Sequence, residues 1–384
     1  MIRFFVTGAT GAVGSEVVAL LLRQGFEVVA LVRATSKEIF EQRCADLESY
    51  WLTAGVTRAD LARFRAVWGN LGLHQFGLER DEYNALAGDV THVIHAAASV
   101  STGLPIDQAR EQICVPAFNI LAFAELAWRQ GRLEKLEYVS TIGVAGATRG
   151  RVPERPDLKP PGFHNTYERA KWEAECAVLE AHPGGVPTTV HRPSMVVGDA
   201  NTGRVRRTQV FYHLSVFVAG LMTRGFVPNL RGLPIDVVPS DFVSATLVSS
   251  ALDQSYAGRV LHLCAGPEKC LDAATLAAHV RERLARRHVE LPPLRELPAS
   301  LLQAFVASMR MIAPQQSIRR RAAAVDMFLS YARDRQTFVA DQTQDLLASK
   351  NIFCPAARDI LAPQISQVEK TFLAKRNQSK QRMV

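Results

Sequence analysis

The chain opens on a strand-like stretch at residues 2–7 with Ile2, Phe4, Phe5 and Val6 apolar, and further on the apolar positions Val17, Val18, Leu21 and Leu22 fall at helical spacing. That switch in period predicts a strand over 2–7, a helix over 14–24 and a second strand over 27–32. The alternation continues: a long helix over 37–52, strands at 64–68 and 91–96, a helix over 113–129, a strand at 136–140, a helix over 167–181 and a strand at 188–192. Continuous apolar strands separated by helices predict a parallel sheet covered on both faces, a doubly wound α/β fold.

From about residue 198 the pattern changes. One or two helices are expected over 204–225, a short strand at 236–238, a helix over 241–251 and another strand at 258–264. Pro292 and Pro293 mark a break before a mainly helical stretch reaching Tyr331. The expected organisation is a nucleotide-binding domain over 1–200, to which 236–265 returns in part, and a smaller, mainly helical substrate-binding region made of 201–235 and 266–363. Residues 364–384 read as a polar, basic fraying helix or tail.

Composition narrows the classes. A chain of 384 residues with 48% hydrophobic content can bury a full core. The formal charge of +8 suits a polyanionic ligand or an acidic partner, but no basic-aromatic block points to nucleic acid. The six cysteines form no metal-spaced cluster, so no metal is expected and reduced, buried thiols are. The N-terminus reads as the first strand rather than a signal peptide, and no apolar run is long enough for a membrane span; a cytoplasmic protein is expected.

The chemistry begins in the string Val6-Thr7-Gly8-Ala9-Thr10-Gly11-Ala12-Val13-Gly14, which leaves a strand and opens a helix. In that context Gly8 allows the tight turn, Gly11 lets backbone approach a pyrophosphate and Gly14 lets helix and sheet pack closely, the Rossmann-type arrangement for a dinucleotide. The next strand ends in Leu31-Val32-Arg33, not in an acidic residue, with Arg43 further along. Guanidinium groups there favour the 2′-phosphorylated cofactor, NADPH/NADP+.

Tyr167 and Lys171 stand one helical turn apart, on one face. A phenol titrates near 10, and a neighbouring ammonium makes it a competent proton donor at neutral pH. The strand ending Tyr138-Val139 runs into Ser140-Thr141, either of which could hold a carbonyl oxygen; Thr141 is the choice, with Ser140 the alternative. Together these groups predict hydride transfer to a carbonyl carbon with Tyr167 as the acid.

The glycine loop, His95-Ala96-Ala97-Ala98, Tyr138-Val139-Ser140-Thr141 and Tyr167-xxx-Lys171 resemble the extended short-chain dehydrogenase/reductases. Leu31-Val32-Arg33, the segment Arg192-Pro193-Ser194-Met195-Val196-Val197-Gly198-Asp199 with Thr202-Gly203, and Val237-Val238-Pro239-Ser240-Asp241-Phe242-Val243 narrow the resemblance to the thioester reductase and fatty acyl-CoA reductase branch, over roughly residues 1–265. The resemblance implies that Gly8, Thr10, Gly11, Ala12, Val13 and Gly14 hold the pyrophosphate, that Arg33 and Arg43 contact the 2′-phosphate, and that Ala96 and Ala97 line the cofactor. It implies Thr141, Tyr167 and Lys171 as the catalytic set and Pro193 and Ser194 as the loop beside the nicotinamide. Asn70, followed by Leu71, stands where the family has Asp near the adenine, and Cys114 stands where an Asn opens the helix after the fourth strand. The second departure weakens an Asn-supported proton relay.

Members of that branch reduce acyl thioesters on carrier proteins or coenzyme A, giving an aldehyde and, with a second hydride, an alcohol. With no adenylation or carrier segment alongside, the thioester or an acyl carrier protein is expected in trans. Arg204, Arg206 and Arg207, with Arg319, Arg320 and Arg321, could receive a phosphopantetheine arm or be solvated helix faces. Phe211, Phe217, Met222 and Phe226 are candidates for the acyl pocket. The rival is an extended reductase or dehydrogenase acting on a free ketone, aldehyde or alcohol, including sterol-like substrates; a nucleotide-sensing protein without catalysis is the reading from another class. Monomer and homodimer both suit the fold.

Overall fold

A computed structural model of the chain describes residues 1–181, 185–207, 210–312, 325 and 328–381. Seven strands form one sheet: β1 (Arg3–Thr7), β2 (Glu27–Val32), β3 (Phe64–Trp68), β4 (His92–His95), β5 (Lys135–Val139), β6 (Thr188–Pro193) and β7 (Val260–Leu263). Their order is β7-β6-β5-β4-β1-β2-β3 and every pairing is parallel, with Val6 opposite Ala30 on one side and Ile94 on the other. The chain reverses direction across the sheet between β1 and β4, which opens a crevice at their carboxyl ends.

Alternate β1 side chains serve opposite faces. Phe4 and Val6 pack with α1 (Ala12–Arg23), α2 (Lys37–Thr53) and the later helix over Ser240–Ala251. Phe5 turns the other way, toward α3 (Arg80–Asp89) and α4 (Ile106–Arg129). On that same face α4 packs along α5 (Thr166–Ala181).

A second apolar core gathers the smaller C-terminal region. It joins α6 (Val210–Val218), α8 (Ala273–Ala285), Leu302 of α9 (Ala299–Ile312) and α11 (Leu361–Gln381), where the Ser240–Ala251 helix is α7 and Asp341–Ala348 is α10. Short strand pairs stitch the regions together: Met195–Val197 runs parallel to Val237–Pro239, and Arg151–Val152 to Thr337–Phe338.

Three differences from the sequence reading have physical causes. Helix α4 starts at Ile106 rather than near 113, because its first turns are polar and solvent-facing; Ala109 alone is buried there, while Arg110 makes paired 2.7 Å bonds to Glu173 of α5. Residues 361–381 form a helix whose first half is packed, with Gln364, Ile365, Val368 and Glu369 buried, while 374–378 are exposed. The inward polar residues have dedicated partners, Gln364 on the Gly198 and Asp199 backbone and Glu369 on Arg283, so composition alone disguised them. Helices α3 and α10 were not foreseen. The expected cluster Arg319, Arg320 and Arg321 lies outside the described residues.

Among the described residues no helix is long and apolar enough to cross a membrane, and no His/Cys/Asp/Glu group could hold a metal ion. All six cysteines are free thiols.

Candidate active site

The glycine loop leaves β1 through Gly8, whose φ of +80° lies in the left-handed region. A Cβ on Gly8 would come within 2.6 Å of the Ala96 carbonyl and the Ala97 nitrogen, and one on Gly14 within 2.3 Å of the Gly8 oxygen. Backbone packs on backbone at both places. Gly11 closes the turn with a 2.8 Å bond to the Gly8 carbonyl and opens α1, which has no side-chain cap and no acid in its first turn. The amides and the positive end of α1 at Ala12 and Val13 therefore face the crevice without a competing anion, beside Thr10, and this is a donor set that fits a pyrophosphate. Ala96 is fixed against β1 by its bond to the Thr7 carbonyl, and a buried 2.9 Å contact joins Thr7 Oγ1 to His95 Nδ1.

Arg33 is exposed at the end of β2, and its carbonyl accepts a hydrogen bond from the Arg43 guanidinium of α2. The structure adds a residue that sequence reasoning had sent elsewhere. Arg206, from the second region, donates to the Thr10 carbonyl in the middle of the glycine loop. Burial lowers its pKa first, and the charges of Arg207 and Arg43 push in the same direction. Its neighbour Arg204 bonds Glu16 of α1 at 3.1 Å and lies over the Tyr50 ring. Arg204 and Arg206 are thus both held against the glycine loop and α1. Beyond β3, Asn70 Oδ1 accepts from the Gly72 amide, while the Leu71 carbonyl accepts from Asn119 of α4 at 2.7 Å.

On the other side of the crevice the end of β5 and the start of α5 bring the polar groups together. Ser140 is buried, and its hydroxyl donates to Glu175, the carboxylate that also holds Arg192 at 2.6 Å. Thr141 Oγ1 accepts from the Gly143 amide at 3.1 Å and is within hydrogen-bonding reach of the Tyr167 phenol. Lys171 donates to the Val139 carbonyl at 2.9 Å and to the Tyr138 hydroxyl at 3.2 Å, with its ammonium over the Tyr138 ring.

Burial dominates the electrostatics. It raises Tyr167 to about 12, against the hydrogen bonding with Thr141, and lowers Lys171 to about 8, against the charge of Glu175. The Lys171 ammonium is held toward β5, and burial is the largest influence on the Tyr167 phenol. Cys114 bonds the Ala170 carbonyl at 3.3 Å, and burial pushes its thiol up to about 11. Pro193 ends β6, and Ser194 follows it, tied to the Leu263 carbonyl at 2.9 Å.

Of the expected pocket residues, Phe217 is sealed in the second core, stacked on Phe328 at 5.6 Å. Phe211 borders a cavity of about 170 Å³ between α6 and α11, and Met222 and Phe226 pack against the core from its edge. The sequence reading missed one group altogether. His164 and Glu168, flanking Tyr167, form a buried cluster with Tyr331 and Asp334 of the C-terminal region. No spacing signal connects positions so far apart in the chain.

The model of the male sterility protein family matches residues 6–247, more than half of the chain. The chain belongs to this family. Curated relatives of this male sterility family member include the non-canonical nonribosomal peptide synthetase FrzA of Cladobotryum sp, 28% identical over 68% of this chain and 26% of the relative. The L-2-aminoadipate reductase of Schizosaccharomyces pombe is 26% identical over 68% of this chain and 19% of the relative. The chain therefore spans about a quarter or less of the length of these relatives. Among solved structures, the terminal R domain from the myxalamid PKS-NRPS biosynthetic pathway superposes with a TM-score of 0.76 at 23% identity, covering 98% of this chain and 91% of that one. The reductase domain of a nonribosomal peptide synthetase from Mycobacterium tuberculosis gives 0.67 at 21% identity, over 95% and 91%. These likenesses establish the shared fold.

Proposed function

We propose that this chain is an NADPH-dependent reductase of a carrier-tethered acyl thioester, yielding an aldehyde and a free thiol. The observation that carries the reading is the meeting of Thr141 and Tyr167 across the crevice from the glycine loop, with Lys171 one turn behind. The names of the family's relatives, a peptide synthetase and an aminoadipate reductase among them, support a thioester as substrate.

The residues for NADPH are Gly8, Thr10, Gly11, Ala12, Val13 and Gly14 at the pyrophosphate and Arg33, Arg43 and Arg206 at the 2′-phosphate. Asn70 and Leu71 lie toward the adenine, and Ala96, Ala97, Pro193 and Ser194 along the nicotinamide half. When bound, the nicotinamide supplies a hydride to the carbonyl carbon. Thr141 Oγ1 donates a hydrogen bond that fixes the carbonyl oxygen, and Tyr167 Oη gives that oxygen the proton it takes up. The resulting hemithioacetal collapses to aldehyde and thiol. Lys171, anchored on the Val139 carbonyl and the Tyr138 hydroxyl, keeps a third donor that would hold the nicotinamide ribose. Ser140 has no part in this, since its hydroxyl belongs to Glu175.

Acyl thioesters on a carrier protein, on coenzyme A and on a short pantetheine mimic, compared with free ketones and aldehydes, test the reading. Thiol release in step with NADPH oxidation is expected on thioesters, fastest with the carrier. Turnover of free ketones or aldehydes with no thiol released from any thioester would overturn it.

A further inference from the structure

The helix that carries Tyr167 and Lys171 is fastened at its first turn. Asn165 Oδ1 accepts from the Glu168 amide at 3.0 Å and caps α5, and the Glu168 carboxylate reaches back to accept from the His164 amide at 2.8 Å. The same carboxylate accepts from the Tyr331 hydroxyl and lies 3.0 Å from His164 Nδ1. Across the ring, His164 Nε2 is 2.7 Å from Asp334 Oδ2. The side chains of His164, Glu168 and Asp334 are only 1–2% exposed, and the Tyr331 ring packs 4.6 Å from the imidazole.

An ionised carboxylate has only acceptors, so an imidazole with a carboxylate at each nitrogen is fully bonded only when both nitrogens carry hydrogen. We propose that the His164 imidazolium, held between Glu168 and Asp334, is a latch that fastens the C-terminal segment around Tyr331 to the first turn of α5 and thereby positions Tyr167. The catalytic half of this statement rests on Tyr167 being the acid.

Burial works against the charge on His164, but the hydrogen bonds and charges of Glu168 and Asp334 outweigh it and hold the ring above its ordinary value. The other charged groups facing the cluster are Arg149 and Arg333, 3.6 and 3.8 Å from Asp334 and both largely exposed. The two phenols beside it do not ionise in the working range: burial holds Tyr331 well above 10 and Tyr167 at about 12. The latch is therefore closed while His164 is protonated. It opens as pH rises through the raised histidine value, when one ring nitrogen turns a lone pair toward a carboxylate. Beyond Asp334 the chain is held by other means, the pairing of Thr337–Phe338 with Arg151–Val152 and the Gln336 bonds to the Gly146 and Thr148 carbonyls. The latch acts on the segment before those anchors.

Hydrogen exchange of the full chain tests this without any substrate. Peptides covering 164–171 and 328–334 are followed from about pH 6 to about pH 9, with the intrinsic pH dependence of exchange divided out. Protection is expected to fall with pH in the wild type and to be low at every pH in His164→Gln and Asp334→Asn. In the same variants kcat is expected to drop on the order of 10-fold with NADPH affinity unchanged, and Tyr331→Phe, which keeps the ion pairs, to retain the pH response. Equal protection in wild type and His164→Gln at all pH values would overturn the latch, as would a variant that loses thermal stability but keeps wild-type kcat and pH response. Normal turnover by Tyr167→Phe would instead overturn the acid assignment and leave the exchange result standing.

Discussion

Ser140 gives its hydroxyl hydrogen to Glu175, whereas Thr141, the next residue, turns its hydroxyl toward Tyr167. Thr141 has extended backbone, and successive residues of an extended segment point to opposite sides. One hydroxyl is spent inside the protein and the other reaches the crevice. Ser140→Ala should cost about 1–3 kcal/mol in urea unfolding, because it strips a bond from a buried carboxylate, while kcat per folded molecule stays near wild type. Thr141→Val should fold normally and lose on the order of 10²-fold in kcat. The reverse pattern would make Ser140 the reactive hydroxyl.

Removing only the phenolic oxygen, Tyr167→Phe, should lower kcat by on the order of 10²–10⁴-fold, the worth of a general acid. Titration calorimetry should show little change in NADPH affinity, since the glycine loop and the arginines are untouched.

Lys171 titrates at about 8 instead of 10.5, because it is buried more strongly than Glu175 can offset. Its ammonium is present below that value, so kcat should fall as pH rises above about 8, and Lys171→Met should lose this limb along with most activity. For stability the sign is opposite. The unfolded lysine holds its proton up to 10.5, so the buried one costs stability below about 8, and the cost is relieved between 8 and 10.5. Chemical unfolding should show the wild type gaining on Lys171→Met across that window; a constant difference would contradict the shift.

Arg206 reaches the glycine loop from a different part of the chain and meets Arg43 there. Arg33→Ala and Arg206→Ala should each weaken NADPH binding on the order of 10-fold and leave NADH nearly unchanged, as expected for lost charge-assisted bonds to one phosphate. Equal loss for both cofactors would place these guanidinium groups away from the 2′-phosphate.

Gly8→Ala places a Cβ 2.6 Å from Ala96 backbone at a φ of +80°, with no flexible neighbour to yield. It should destabilise by about 2–4 kcal/mol and abolish NADPH binding. Gly11→Ala meets only the Gly8 oxygen at 3.1 Å and should fold, with its effect confined to the cofactor.

Much of the sheet was legible because its signals are local. β2 and β3 fall at 27–32 and 64–68 as the sequence pattern predicts, and β1, β4, β5 and β6 differ by a residue at one or both ends. Legibility failed where burial is not apolar. Helix α11 buries Gln364 and Glu369 against polar partners, and the opening turns of α4 face solvent with Arg110 held by Glu173, so neither shows the expected period. Arg206 was misjudged for a related reason: a charged residue followed by more charge reads as a solvated face until a carbonyl from Thr10 is found against it.

The amino-acid sequence by itself determined the alternation of strand and helix, the glycine loop and the Tyr167/Lys171 pair, because each is written in a short contiguous stretch whose geometry follows from local period and turn chemistry. The tertiary structure alone decided which hydroxyl faces the crevice, which arginine crosses to the glycine loop, and that Tyr331 and Asp334 close on His164 and Glu168. Those relations depend on side-chain direction and on contacts between distant parts of the chain, and neither leaves a spacing for the sequence to display.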